Sequence, residues 1–271
     1  MCGMLDSTDA RIQGLREIIE VMDRLRGDGG CPWDREQDTR SLRPFLIEEA
    51  YELLEALDGG TDSEVLGELG DVLFQVVFHA RLGQERGAYD LGTVGRTIAR
   101  KLVARHPHVF GGARVSTSAE VVANWEVHKK RHEGRKSLLD GVPRALPALL
   151  RAQRLQEKAA RGGFDWKDSL GPAAKLEEEV GEVRERLEAG DARGVALELG
   201  DVLFAIVNVA RHLGVSAEDA LREAAAKFER RFRRVEELAP GELLGKPLEE
   251  LDALWDRAKA EERLSDPPEK E

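Results

Sequence analysis

Apolar residues recur at helical spacing along most of the chain. Leu176, Val180, Val183 and Leu187 fall at i, i+4, i+7 and i+11, a single stripe on a helix that would face a core. Strict apolar–polar alternation, the mark of a half-buried strand, is absent. The periodicity predicts helices over Leu15–Arg26 and Leu149–Ala160, each running into a Gly-Gly turn. Between Leu197 and Val209 the pattern changes: Leu197, Leu199, Val202, Leu203, Phe204, Ile206, Val207 and Val209 make the segment apolar nearly all round, which predicts a buried helix. Ser216, with Asp219 three residues on, predicts an N-cap, and Asp90 is placed to do the same earlier in the chain. A further helix carries Trp255. These elements predict an all-α fold, a bundle of four or five helices joined by short loops.

The bundle is predicted twice. A shift of 130 positions aligns Glu48, Glu49 and Glu52 with Glu178, Glu179 and Glu182, and superposes the seven residues Glu68–Phe74 on an identical Glu198–Phe204. It also pairs Trp125 with Trp255 and Lys129 with Lys259. Gly29-Gly-Cys-Pro-Trp33 matches Gly162-Gly-Phe-Asp-Trp166 at a slightly different shift. Gly141, Pro143 and Pro147 mark a boundary between the copies. The expected organisation is an N-terminal helical domain over residues 1–133, a linker over 134–147, a C-terminal helical domain over 148–263 and a disordered tail over 264–271.

Composition narrows the function. The 271 residues carry 52 acidic and 41 basic side chains, a formal charge of −11, which disfavours binding to a nucleic-acid backbone. The two cysteines, Cys2 and Cys31, form no CxxC pair, so neither a disulfide framework nor a thiolate zinc site is expected. No apolar run approaches the roughly 20 residues that cross a bilayer, and no signal pattern opens the chain; a cytoplasmic location is expected.

The acidic residues carry the candidate chemistry. On the apolar helix, Glu198 and Asp201 stand three apart, with Asn208 seven further on, forming one narrow polar stripe. The other copy repeats it with Glu68, Asp71, Gln75 and His79. One turn of the preceding helix presents Glu178, Glu179 and Glu182 beside the core, matched by Glu48, Glu49 and Glu52. A Glu-rich helix face alone is ordinary solvated surface. Carboxylates on a helix apolar all round are costly unless paired, and each close pair repels by roughly 4 kcal/mol at an effective dielectric near 20. All-oxygen donor sets of this kind suit Mg²⁺, with Mn²⁺ as a substitute, and leave positions open for phosphate oxygens. Lys227 and Arg231, four apart on a basic helix, offer phosphate partners, as do Lys101 and Arg105 in the first copy. Lys175 lies one turn before Glu179, where the first copy has Phe45.

With both acidic motifs on adjacent helices, the chain resembles the tandem-domain MazG nucleoside triphosphate pyrophosphohydrolases, of the all-α NTP pyrophosphatase superfamily that also holds dimeric dUTPases and phosphoribosyl-ATP pyrophosphohydrolases. The resemblance covers nearly the whole chain and includes Gly29-Gly-Cys-Pro-Trp-Asp34 and Lys227-Phe-Glu-Arg-Arg231. It implies Mg²⁺-dependent hydrolysis of nucleoside triphosphates to monophosphate and pyrophosphate with broad base tolerance, serving nucleotide-pool cleansing, in a homodimer. It implies metal ligation by Glu178, Glu179, Glu182, Glu198 and Asp201, and by Glu48, Glu49, Glu52, Glu68 and Asp71. Substrate would be held by Lys175, Lys227, Arg231, Trp255 and Lys259, and in the first copy by Lys101, Arg105, Trp125 and Lys129. Either Glu179 or Glu182 is the candidate to accept a proton from the attacking water, and Asn208 is a candidate contact for sugar or base.

Alternatives remain at this level. Trp125 and Trp255 are equally suited to stacking a base or packing in the core, whereas Trp33 and Trp166 are expected to plug the bundle ends. A narrower dUTPase-like or phosphoribosyl-ATP-like hydrolase and a non-catalytic helical adaptor are the rival functions. A di-iron bundle is disfavoured because no glutamate has a histidine three residues later. No GxxxxGK[ST] loop is present. The second copy, with Lys175, Asn208 and the richer basic helix, is expected to carry most of the activity.

Overall fold

The structure is a computed structural model that describes residues 9–112 and 137–265. Its described residues form eleven α-helices and no strand. Trp125, Lys129 and the basic run Lys129–His132 lie outside the described residues. The chain divides into two compact units, Met1–Glu133 and Gly134–Glu271.

The N-terminal unit begins with α1 (Ala10–Arg26), capped by Asp9, whose side chain accepts from the Arg11 N–H. Gly29 (φ 75°) and Gly30 turn the chain into the short α2 (Pro32–Glu36). A Cβ on Gly30 would lie 2.2 Å from the Leu25 carbonyl oxygen, so this turn admits no side chain there. Next come α3 (Arg43–Gly59) and α4 (Asp62–Glu85), joined by Gly60-Thr61. Thr61 and Glu64 close a capping box that defines where α4 starts. Then follow α5 (Leu91–Arg105), capped by Asp90 as expected, and α6 (Pro107–Phe110). Helix α4 is central, packing on α1, α3 and α5. The core between α1 and α4 is Met22, Leu42, Val77, Phe78 and Leu82, with Phe74 edge-on to Phe78 at 5.6 Å.

The C-terminal unit contains α7 (Ala148–Arg161), α8 (Leu170–Glu188), α9 (Ala192–His212), α10 (Ala217–Leu238) and α11 (Leu248–Ser265). Helices α8 and α9 form the most extensive pairing, joined by a tight turn at Gly190 (φ 67°). Asp191 caps α9 by accepting from the Gly194 N–H, and Ser216 caps α10 by accepting from the Asp219 N–H. Helix α7 packs on α9 and α10, and the buried amide of Gln156 donates to the Phe204 carbonyl at 2.8 Å. Helix α11 packs along α10.

Two expectations need correction. Helix α9 is not buried all round: Ala205, Val207 and Asn208 are buried, but Leu197, Leu199, Leu203, Phe204 and Ile206 are exposed, Leu197 by 65%. The same holds for Leu66, Leu69 and Leu73 on α4, and the stripe on α8 leaves Val180 and Leu187 exposed. Each central helix has more apolar circumference than the helices of its own unit cover. Trp33 and Trp166 are exposed rather than plugging a bundle end; Trp33 meets Phe45 edge-on and Trp166 lies against Gly171. Helix α11 runs through Ser265, and the rest of the expected tail, residues 266–271, lies outside the described residues.

Candidate metal and nucleotide site

In the C-terminal unit, α8 and α9 run side by side and bring two acidic turns together. Oxygens of Glu179, Glu182 and Glu198 lie within 4.8 Å of one another. Glu179 is buried and its two companions are half-buried. The mutual approach has an electrostatic consequence: loss of hydration, followed by the charges of Glu179 and Glu198, raises the Glu182 carboxyl above the ordinary carboxylate value. Asp201 is exposed and stands outside this close set, as does the exposed Glu178.

Two cations offset part of the repulsion. Lys175 reaches Glu179 at 2.7 Å and Glu178 at 2.8 Å, and those partners hold its ammonium well above the usual lysine range. Arg186 donates to Glu198 at 3.3 Å. Arg186 was not singled out in the sequence, although its place four residues after Glu182 puts it on the same face of α8.

The N-terminal unit repeats the acidic arrangement with Glu49, Glu68 and Asp71, whose oxygens also lie within 4.8 Å of one another. Among the described residues no ion pair reaches these three. Burial, then Asp71, Glu52 and Glu68, raise the Glu49 carboxyl. Glu48 and Glu52 are exposed.

The donor set fits a hard divalent ion. It is all oxygen and brings three carboxylates together at a spacing that one cation could bridge, partly desolvated, and in the C-terminal unit Lys175 and Arg186 pair with two of the three. No thiolate or imidazole belongs to either set.

The remaining site residues divide between two places. Trp255 on α11 packs on Phe228 of α10 with ring centroids 5.2 Å apart, and the Arg231 guanidinium lies 6.0 Å from its ring centre. Arg231 pairs with Glu262 at 2.5 Å and Lys259 with Asp256 at 3.2 Å, so both basic groups have carboxylates of α11 as neighbours. Lys227 is exposed on α10. Asn208 is buried, and its Oδ1 accepts from Arg211 at 2.6 and 3.1 Å. Arg211 also grips Asp165, which His212 approaches at 3.0 Å; the Arg211 guanidinium first, and the hydrogen bond from His212 after it, hold Asp165 down at about 2. This Asp165–Arg211–Asn208 chain was missed, though Arg211 aligns with Arg81 across the repeat. In the N-terminal unit Arg81 instead pairs with Asp23 and Glu85. Lys101 lies on α5 beside a cavity, and Arg105 ends that helix.

Comparison with known proteins bears on this arrangement. The family model described as the MazG nucleotide pyrophosphohydrolase domain matches twice, over residues 37–110 and 168–235, so each match contains one acidic set. A nucleoside triphosphate pyrophosphohydrolase of Escherichia coli K12 is 44% identical over 255 residues, covering 90% of this chain and 97% of that protein. The MazG nucleoside triphosphate pyrophosphohydrolase/pyrophosphatase of Thermotoga maritima is 46% identical, covering 90% of this chain and 94% of its own. The uncharacterised YabN protein of Bacillus subtilis is 45% identical over 90% of this chain but only 51% of its own length.

Proposed function

This chain belongs to the MazG nucleotide pyrophosphohydrolase family, and from that premise we propose how its residues serve hydrolysis of a nucleoside triphosphate to monophosphate and pyrophosphate. The observation that carries the reading is the convergence of Glu179, Glu182 and Glu198, buried or half-buried, from two packed helices. Mg²⁺ held by these carboxylates, with Asp201 and Glu178 at the margin, would neutralise the triphosphate and acidify a bound water. Glu182, raised by loss of hydration and then by its acidic neighbours, is the carboxylate best suited to accept a proton from the attacking water. Lys175 and Lys227 contribute positive charge toward phosphate oxygens. Trp255, flanked by Arg231 and Phe228, presents a ring face for a base. Broad base tolerance and a role in cleansing the nucleotide pool follow from the family resemblance.

We assign most of the activity to the C-terminal unit. Lys175 and Arg186 stand against its carboxylates, whereas among the described residues no ion pair reaches the N-terminal set, which carries Phe45 in place of Lys175. A homodimer is part of the proposal, because the exposed leucines of α4 and α9 are apolar area that a second copy would bury. No described helix is long and apolar enough to cross a membrane.

The test is product analysis. Full-length protein incubated with mixed nucleoside triphosphates and Mg²⁺ should release pyrophosphate and monophosphates, and chelation should stop it. Release of orthophosphate with diphosphate nucleosides, or no turnover, would refute the assignment.

A further inference from the structure

Two enclosed arginines show how this protein uses a guanidinium for structure. Arg26, with a side chain 7% exposed, donates through Nε and Nη2 to Glu85 at 2.8 and 2.7 Å. Arg211 closes on Asp165 with Nη1 and Nη2 together. Arg186 of α8 differs from both. It meets Glu198 through Nε alone, at 3.3 Å, and its side chain is 51% exposed. Its Nη1 stands 3.9 Å from the Asp191 carboxylate, beyond hydrogen-bond reach, and its Nη2 has no partner among the described residues. The outer half of a guanidinium fork, the geometry that matches phosphate oxygens, is therefore open beside the acidic set.

The fold makes room for this arginine. Arg186 lies four residues after Glu182, and its stem crosses to α9 over the buried Gly194. A Cβ on that glycine would stand 2.8 Å from Cδ of Arg186 and 2.3 Å from the Asp191 carboxylate. Glu198 follows one turn further along α9, its side chain only 14% exposed. The first copy has no counterpart. Under the 130-residue shift, Arg186 and Gly194 correspond to Ala56 and Glu64, and Glu64 is engaged in the capping box with Thr61. A guanidinium and a divalent ion compete for Glu198, since both draw on one carboxylate and repel each other. A triphosphate relieves the competition by offering the guanidinium other oxygens. We propose that Arg186 is a phosphate-binding residue of the C-terminal unit, held on Glu198 in the metal-free protein and turning to the phosphate oxygens of the substrate as Glu198 takes the divalent ion. The inference rests on the nucleotide reading above and adds an order to it. Free metal is disfavoured at this set, whereas metal and triphosphate together are favoured. The Glu49–Glu68–Asp71 set, with Ala56 in the place of Arg186, takes metal without that dependence.

Two affinities provide the test, both measured by calorimetry in full-length protein carrying Glu68→Gln, which removes a donor from the first-copy set. One is for Mn²⁺ without nucleotide. The other is for α,β-methylene-ATP, whose α–β bridge cannot be hydrolysed, at saturating Mg²⁺. Arg186→Met keeps the stem and removes the charge. It should tighten Mn²⁺ binding by roughly threefold or more, because one competing cation is gone. The same variant should weaken binding of the analogue by roughly tenfold or more, and Arg186→Lys should restore part of that loss. A merely structural role, acting through misplacement of Glu198, would weaken both affinities together. The proposal is overturned if the two affinities do not move in opposite directions. Neither measurement needs turnover, so the two readings fail separately. Opposite shifts in protein that releases no pyrophosphate would keep Arg186 at the phosphates and refute the hydrolase assignment. Pyrophosphate release with unchanged affinities would keep the hydrolase and refute the role of Arg186.

Discussion

Carboxylates do opposite things in the two settings this protein provides. In the clusters they lose water and then repel one another, so Glu49 and Glu182 rise. At Asp165 a guanidinium and an imidazole bind one carboxylate, and it falls to about 2. The first arrangement invites a cation; the second is already satisfied. Glu198→Gln should cut pyrophosphate release by roughly 100-fold or more, because it removes a donor from the cluster that Lys175 and Arg186 serve. Glu68→Gln should cost no more than about twofold. Equal losses in a parallel assay would defeat the assigned asymmetry. For Asp165 the sign is set by depression from the ordinary value of 3.8. Its stabilisation is full above that value and disappears as pH falls through about 2. Asp165→Asn should therefore cost about 1–2 kcal/mol near neutral pH, after allowance for its partial exposure, and almost nothing near pH 2. Denaturant titrations of both proteins across that range would show a constant difference if the ion pair contributes nothing.

Helix boundaries were the most legible feature of the chain. Asp90 and Ser216 cap where their side chains predict, because an N-cap is a local hydrogen bond between near neighbours. The capping box at Thr61 and Glu64 follows the same logic, and Thr61→Ala should destabilise the N-terminal unit by about 1 kcal/mol. A thermal melt unchanged within error would show that α4 is held by packing alone. Burial was less legible. The all-round apolar pattern of α9 states how much surface can be covered, not what covers it. Within its unit, α7 and α8 cover one part and leave Leu199, Leu203 and Ile206 open. Likewise the five acidic positions per copy could be read from the repeat, but which three approach closely could not. Glu179, Glu182 and Glu198 meet through the pairing of α8 with α9, whereas the N-terminal set uses Asp71 in place of a third glutamate.

For the whole molecule, duplication has produced two units with similar helices and different chemistry. One sets basic side chains against its carboxylates; among the described residues no ion pair reaches those of the other. The exposed leucines of both central helices call for cover from another surface. Leu203→Glu, placed in that apolar area, should shift the protein from dimer toward monomer in sedimentation velocity while leaving its helical content intact. A wild-type chain that sediments as a monomer would remove the dimer from the proposal. Helix type, repeat register and the identity of the acidic motifs were readable without coordinates, since they depend on residues a few positions apart and on self-similarity along the chain. The grouping of carboxylates across α8 and α9, the exposure of α9, the Asp165–Arg211–Asn208 chain and the reach of Arg186 to Glu198 were not. Each depends on which faces of distant segments pack together, and many packings share one hydrophobic pattern.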